Sequence, residues 1–333
     1  MATIREVSRL AGVSNATVSR VLNGTVPVSP EVTKRVLDAV RQLGYRPNAF
    51  ARALVTNRSG GLGMAVNDVA SPYFGLVIRG VEAAAEDAGM HLLISSGHAD
   101  AAKERAALEF LADRRSDALI AHIEGLADEE LLPYLQQETP LVVVGRRIPG
   151  YEERSVYLDN EAGGYMATSH LLEQGHRHIA HVTGPYRFPD SRARRLGFER
   201  AMQEAGLRPD PELILEADFE EEGGYLAMQQ LLGRAPQLTA VFMGNDQMAA
   251  GAFIALREAG LSIPDDVSVV GYDDVSLGRY LYPTLTTIRQ PLEAMGRAAV
   301  RAVLALLNGE EGVTNRFEPE LIVRQSVAQP RHA

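Results

Sequence analysis

The sequence predicts an all-α N-terminal head followed by an α/β body built on parallel sheets. Three observations carry that prediction. Charge divides abruptly: residues 1–58 hold nine Arg or Lys against three Asp or Glu, a net of +6 in a chain whose formal charge is −10. The opening residues carry helix start and stop signals at short intervals. From Gly61 onward, short β-rich runs alternate with amphipathic helical stretches, the pattern of parallel strands joined by crossover helices. A length of 333 residues suits about two domains at roughly 150 residues each.

In the head, Thr3 and Glu6 have the spacing of a capping box. Val7, Leu10 and Ala11 supply that helix's inner face, and Gly12 fits the left-handed position that ends it. Ser14 suits the N-cap of a second helix, on which Val18, Val21 and Leu22 face the core at i, i+3 and i+4. Ser29 and Pro30 open a third helix, whose apolar residues are Val32, Val36, Val40 and Leu43 and which Gly44 closes. Two helices around a short Gly-containing turn, with a third behind, form a helix-turn-helix. The second helix leaves Asn15, Ala16, Ser19 and Arg20 outside. Asn pairs with adenine, Arg with guanine, and Ala touches a thymine methyl, while the hydroxyls of Ser14, Thr17 and Ser19 are sized for phosphates. A solvated helical hairpin fits the same spacing equally well. Beyond it, residues 48–54 give barely two helical turns, marginal in water without a partner.

The body divides into two strand–helix groups, at about 61–159 and 160–289. Ligands of open α/β sheets lie beyond the carboxyl ends of the strands. That rule selects Asn67, Asp68, Ser71, Tyr73 and Phe74 after "GMAV", His122 after "DALIA", and Phe188, Asp190 and Arg194 after "HVTG". It also selects Asn245 and Asp246 after "TAVFMG", Asp273 and Asp274 after "VVGY", and Gln290 after "TTIR". Planar polar side chains match paired sugar hydroxyls, and aromatic faces pack against sugar C–H surface. Asp246 and Asp274 serve equally well as loop braces.

The chain has no phosphate loop, no G-x-S-x-G and no H-E-x-x-H. It has no cysteine, which excludes disulfides and thiolate metal sites. His176, at a helix end, suits a cation facing the helix dipole, and His178 and His181 point to opposite faces of a strand. No enzyme activity, metal or cofactor is expected. Residues 1–25 lack the apolar core of a signal peptide, and no apolar run approaches the roughly 20 residues of a membrane span. A soluble cytoplasmic protein with no membrane partner is the expectation.

The segment "ATIREVSRLAGVSNATVSRVLNG…VSPEVTKRVLDAVRQLGYRPNAFARAL" resembles the DNA-binding head of the lactose/galactose repressor family. The resemblance continues through the body and is closest to the galactose repressor branch. It implies a helix-turn-helix domain over 1–46, a hinge helix and linker over 47–60, and a ligand-binding and dimerisation body over 61–333. The body is then a periplasmic-binding-protein-like pair of subdomains, 61–159 with 290–318 and 160–289 with 319–330, linked by three crossovers. Asn15, Ala16 and Arg20 would read bases, with Thr3, Ser14, Thr17, Ser19 and Asn23 positioning the phosphate backbone. Asn48, Ala51, Arg52 and Leu54 would form the minor-groove hinge, Leu54 wedging into the central base step. Asn67, Ser71, Tyr73, Phe74, His122, Asp190, Arg194, Phe219, Asn245, Asp273 and Gln290 would line the effector cleft.

The resemblance thus implies a cytoplasmic, nucleoid-associated transcriptional repressor. It would bind double-stranded, pseudo-palindromic operator DNA as a homodimer, paired through early helices of the first subdomain (74–88 and 103–113). A small sugar, galactose-like or another aldohexose or glycoside, would release it. Other members of the family use corepressors, so the sign of the ligand effect stays open. A chain ending without apolar heptads points to a dimer with no tetramerising tail. A sugar-binding protein with no role on DNA leaves the basic head unexplained, and an α/β enzyme lacks a nucleophile or acid–base pair.

Overall fold

The computed structural model describes residues 2–23, 27–45, 59–310 and 315–331, and of Asn23 the backbone alone. The chain divides into two compact units, 1–60 and 61–333.

Among its described residues the head has three helices, α1 (Ile4–Ala11), α2 (Asn15–Asn23) and α3 (Pro30–Leu43). Each begins on local chemistry, and α1 and α3 also end on it. Thr3 and Glu6 close a reciprocal capping box on α1, and Gly12 ends it at φ 65°. The Ser14 hydroxyl accepts the Thr17 amide at 3.1 Å, capping α2. Ser29 caps α3 with Pro30 in its first turn, and Gly44 ends it at φ 57°. Val7, Ala11, Val18, Val36 and Ala39 are buried together, with Val21, Leu22, Val32, Val40 and Leu43 packed against them. Leu10 departs from its expected inner position and is 47% exposed. The buried stripe on α1 runs through Val7 and Ala11, one turn apart, and Leu10 falls beside it. Arg35 of α3 donates to the Gly12 carbonyl at 3.4 Å, tying the α1–α2 turn to the third helix.

The body holds two six-stranded sheets. The first has the order β11-β5-β4-β3-β1-β2, from β1 (Gly61–Val66), β2 (His91–Ser96), β3 (Ala118–His122), β4 (Leu141–Val144), β5 (Ser155–Leu158) and β11 (Asn315–Phe317). The second has the order β12-β10-β9-β8-β6-β7, from β6 (Ile179–Thr183), β7 (Ile214–Glu216), β8 (Ala240–Met243), β9 (Ser268–Asp273), β10 (Thr286–Arg289) and β12 (Glu320–Ile322). All the paired strands are parallel except β12, which returns antiparallel to β10. The chain changes sheet after β5, after β10 and after β11. The central strands β3, β4 and β8 are buried on both faces and read as near-continuous apolar runs, whereas the edge strands β2, β7, β11 and β12 are partly exposed.

Nine helices flank the sheets among the described residues: α4 (Pro72–Asp87), α5 (Ala101–Asp113), α6 (Asp128–Leu135), α7 (Asn160–Glu173), α8 (Pro189–Glu204), α9 (Glu221–Arg234), α10 (Asp246–Glu258), α11 (Leu277–Tyr280) and α12 (Leu292–Leu307). α7 packs closely on α8, where a Cβ on Gly164 would overlap the Arg194 carbonyl and one on Gly197 the Glu161 carbonyl. No helix among the described residues is long and apolar enough to cross a membrane.

His176 departs from its expected role as a cation at a helix end. It is 1% exposed, and its ring nitrogens lie 3.0 Å from the Thr239 hydroxyl, 3.1 Å from the Ser268 hydroxyl and 2.9 Å from the Ala328 carbonyl. Burial lowers its pKa, so a neutral ring pins the C-terminal segment to the second sheet.

Candidate functional site

In the head, Asn15, Ala16 and Arg20 of α2 are exposed, while Val18 of the same helix is buried. Thr3 and Ser14 are exposed, with Thr17 and Ser19 half-buried. Thr3 and Ser14 are occupied as caps, and the Thr17 hydroxyl lies 2.9 Å from that of Ser14. The Asn23 side chain and the hinge residues Asn48, Ala51, Arg52 and Leu54 lie outside the described residues.

In the body, the carboxyl ends of both sheets open onto one cavity of about 460 Å³. Asn67, Ser71, Tyr73 and Phe74 reach it from β1 and the start of α4, and Glu124 from beyond β3. Asp190 and Arg194 reach it from α8, Phe219 from beyond β7, Asn245 from beyond β8 and Asp273 from the end of β9. Two residues expected in the cleft lie behind its wall. His122 and Gln290 border a small adjoining space of about 10 Å³ that shares Tyr73, Glu124, Asp190 and Arg194 with the main cavity.

Arg194 organises the floor. It is 3% exposed, and its Nε donates to Asn160 Oδ1 at 2.9 Å, Nη1 to the Gly244 carbonyl at 2.7 Å and Nη2 to Asp190 Oδ2 at 3.1 Å. The Asp273 carboxylate lies 4.0 Å from Nη2, and the guanidinium sits 3.9 Å from the Tyr272 ring centroid. Burial works against the charge on Arg194, but Asp190, Tyr272 and Asp273 outweigh it and hold the pKa above the ordinary range. Burial pushes Asp273 up to about 7, although Arg194 and the Gln290 amide, which donates to it at 2.7 Å, pull the other way. The Asp273 backbone is held at φ 108°, the left-handed side of conformational space, at a cost of about 1–3 kcal/mol. Gln290 therefore orients Asp273 from behind.

Aromatic faces form the other walls. Tyr73, Phe74 and His122 meet edge to face, with centroids 4.9 to 5.4 Å apart. Burial lowers His122 to about 3, with Arg146 adding to the effect, so its ring is neutral. Phe219, at φ 71°, lies parallel to Phe188 with centroids 6.3 Å apart. Its position is fixed by Asn245, whose Nδ2 donates to the Phe219 carbonyl at 2.8 Å while Oδ1 caps α10 through the Met248 amide at 2.9 Å. Both polar atoms of Asn245 are thus used in shaping the wall.

Asp246 and Asp274, which sequence reasoning left between ligand contact and brace, are braces. Asp246 is fully buried and accepts from the Thr287 hydroxyl at 2.6 Å and the Val275 amide at 2.9 Å. Asp274 pairs with Arg289 and Arg324. Phe188, which the strand-end rule selects, lines the cavity, and so do Glu124, Gln247, His98 and Glu220, which sequence reasoning left out. Glu124 stands two residues beyond His122, where the strand-end rule stopped.

Residues 3–48 match the family model for bacterial regulatory proteins of the lacI family, and residues 168–327 that for a periplasmic binding protein-like domain. The HTH-type transcriptional regulator GalS of Salmonella typhimurium is 43% identical, the match covering 100% of this chain and 98% of GalS. GalR of Escherichia coli is 40% identical over 99% of this chain and 97% of its own. The HTH-type transcriptional repressor PurR of Edwardsiella ictaluri is 39% identical over 98% and 97%. Among solved structures, the lac repressor dimer bound to operator and the anti-inducer ONPF superposes with a TM-score of 0.89 at 27% identity, covering 98% of this chain and 99% of that one. The CelR–cellobiose complex gives 0.73 at 34% identity, covering 98% and 100%. With a capped three-helix head, a two-sheet body and full-length relatives at these identities, the chain belongs to the lacI family of bacterial regulatory proteins.

Proposed function

We propose that this chain is a transcriptional repressor that holds pseudo-palindromic operator DNA as a homodimer and lets go when a small sugar fills the body cavity. The observation that carries this reading is the pairing, in one chain, of an exposed Asn15–Ala16–Arg20 face on a capped helix with a cavity of charged, amide and aromatic side chains. Asn15, Ala16 and Arg20 read base edges in the major groove, and Thr3, Ser14, Thr17, Ser19 and Asn23 set register on the phosphates. Asn48, Ala51, Arg52 and Leu54 form the minor-groove hinge, with Leu54 as the wedge. One head with a short hinge binds weakly, and two on a two-fold axis read two half-sites. Phe110, 41% exposed on α5, supports pairing through the early helices of the body. The regulator works in the cytoplasm on nucleoid DNA.

In the cavity, Asp190, Asp273, Arg194 and Asn67 bond the ligand's hydroxyls, and Phe219 packs its C–H face. A ligand that fits one cleft geometry better than another shifts the population of body states, and through the hinges the spacing of the heads.

Filter binding of the full chain to a duplex selected from a random pool tests this. The expected result is tight retention that falls on adding a hexose and falls steeply with salt as phosphate contacts release counterions. Retention of no duplex would remove the DNA-binding role, and retention indifferent to every sugar would remove the ligand control.

A further inference from the structure

Resting on the reading of the cavity as the effector site, we propose that its wall between Asn67 and Glu124 receives a protonated amino group, which makes the effector an amino sugar. Asn67 follows β1 and Glu124 follows β3, and these strands are neighbours with Val66 opposite His122. The two side chains therefore stand together. Asn67 Nδ2 donates to Glu124 Oε2 at 2.8 Å. That bond fixes the amide's orientation and leaves Asn67 Oδ1 buried without a hydrogen-bond partner. Asn67 is 8% exposed, and both residues line the cavity. Once Glu124 is ionised, which a cation beside it favours, its carboxylate and the orphaned amide oxygen present acceptors only. A hydroxyl brings one donor, whereas an ammonium brings three donors and no acceptor.

Charge points the same way. Glu124, Asp190 and Asp273 share one guanidinium, and three of the five N–H groups of Arg194 go to Asn160, the Gly244 carbonyl and Asp190. No ion pair to Glu124 occurs among the described residues. Burial, reinforced by Asp190, raises its pKa well above the usual carboxylate range, the mark of a carboxyl short of a cation. The rim adds Asp68, Glu216, Asp218 and Glu220 against Arg187, which disfavours a phosphorylated or carboxylated sugar. A neutral hexose leaves the charge of Glu124 unanswered, and an ammonium answers it with charge-assisted hydrogen bonds.

The carboxylate is also held in place. Glu104 of α5 is fully buried and accepts the backbone amides of Glu124 at 3.0 Å, Gly125 at 2.8 Å and Leu126 at 2.8 Å. The loop carrying Glu124 is thereby fixed before any ligand arrives.

Titration calorimetry on the full chain, at a pH where the amine is protonated, compares galactosamine with galactose and glucosamine with glucose. The N-acetyl derivatives serve as uncharged controls. In the pair that fits, the amine should bind at least about tenfold tighter than its parent hexose, as one added charge-assisted bond allows. N-acetylation should erase the advantage, and Glu124→Gln should bring the ratio of the two affinities to about one. Both ligands are measured on the same variant, so general damage weakens them alike. Should Glu124→Gln fail to fold, Glu124→Asp, which keeps the charge and shortens its reach, must lower the ratio. Parent hexoses that bind as tightly as the amines, and release operator, would overturn the amine site and leave the repressor reading intact. Binding of no sugar of either kind would take down the sugar reading and this inference together.

Discussion

Arg194 ties the proposed ligand site to the folding of the body. From the sequence, Arg194→Ala is expected to abolish the ligand response and spare operator binding. The structure adds a second consequence. The guanidinium is buried, stacks on Tyr272 and joins Asn160, Gly244, Asp190 and Asp273, so its removal leaves buried carboxylates unanswered. The body of Arg194→Ala should therefore lose about 3–5 kcal/mol of stability as well as its ligand response. Operator binding at low temperature should persist, because the head has its own core. Thermal melting followed beside operator binding checks both outcomes. His181 makes a separate prediction. Its ring stacks on Phe242 at 4.5 Å and Phe198 at 5.2 Å, and Nδ1 donates to the Phe242 carbonyl at 3.0 Å. Burial holds its pKa at about 4, against 6.5 for an ordinary histidine. The unfolded chain then takes up a proton between those values that the folded chain refuses. Its contribution is intact above about 6.5 and is lost as pH falls toward 4, amounting to about 2 kcal/mol by pH 5. His181→Phe keeps the stack and should flatten this dependence, read as the change in urea midpoint between pH 7 and pH 5.

At the scale of elements, the caps of the head were legible because capping chemistry is local. Thr3–Glu6, Gly12, Ser14, Ser29–Pro30 and Gly44 each act within a turn of their own position. Ser14→Ala should therefore cost about 1 kcal/mol of head stability and weaken binding to all duplexes alike. Arg20→Ala should leave the head folded, cost about 1–3 kcal/mol of operator affinity and relax the choice of base at one position. Competition binding against a set of single-base operator variants separates the two patterns. Leu10 and His176 were misread for one shared reason: which side of a helix or loop meets the core is decided by distant partners. Leu10 is displaced by the seating of α1 on α3, and His176 is claimed by Thr239, Ser268 and the Ala328 carbonyl, far along the chain. Glu124 escaped notice because nothing in "AHIEG" signals that Asn67, on the neighbouring strand, will bond it. The strand-end rule did gather the residues of two separated sheets toward a single cavity, since a parallel sheet directs its strand ends to one edge. It did not separate the residues facing the cavity from Gln290 and His122, which stand behind it.

For the whole molecule, alternation of strand and helix was enough to read a parallel α/β body, and the antiparallel return of β12 was not, because three residues give no directional signal. At this scale the proposed function is a linkage between a cavity of about 460 Å³ and the face of α2 proposed to read bases. Linkage is reciprocal: a ligand that weakens operator binding by some factor must itself be bound more weakly, by the same factor, when operator is present. The direct measurement is the affinity of the full chain for its sugar, by titration calorimetry, with and without saturating operator duplex, set beside operator affinity with and without saturating sugar. The account predicts that both affinities fall together and by equal factors, of order 5–150-fold. A sugar affinity indifferent to operator would contradict it.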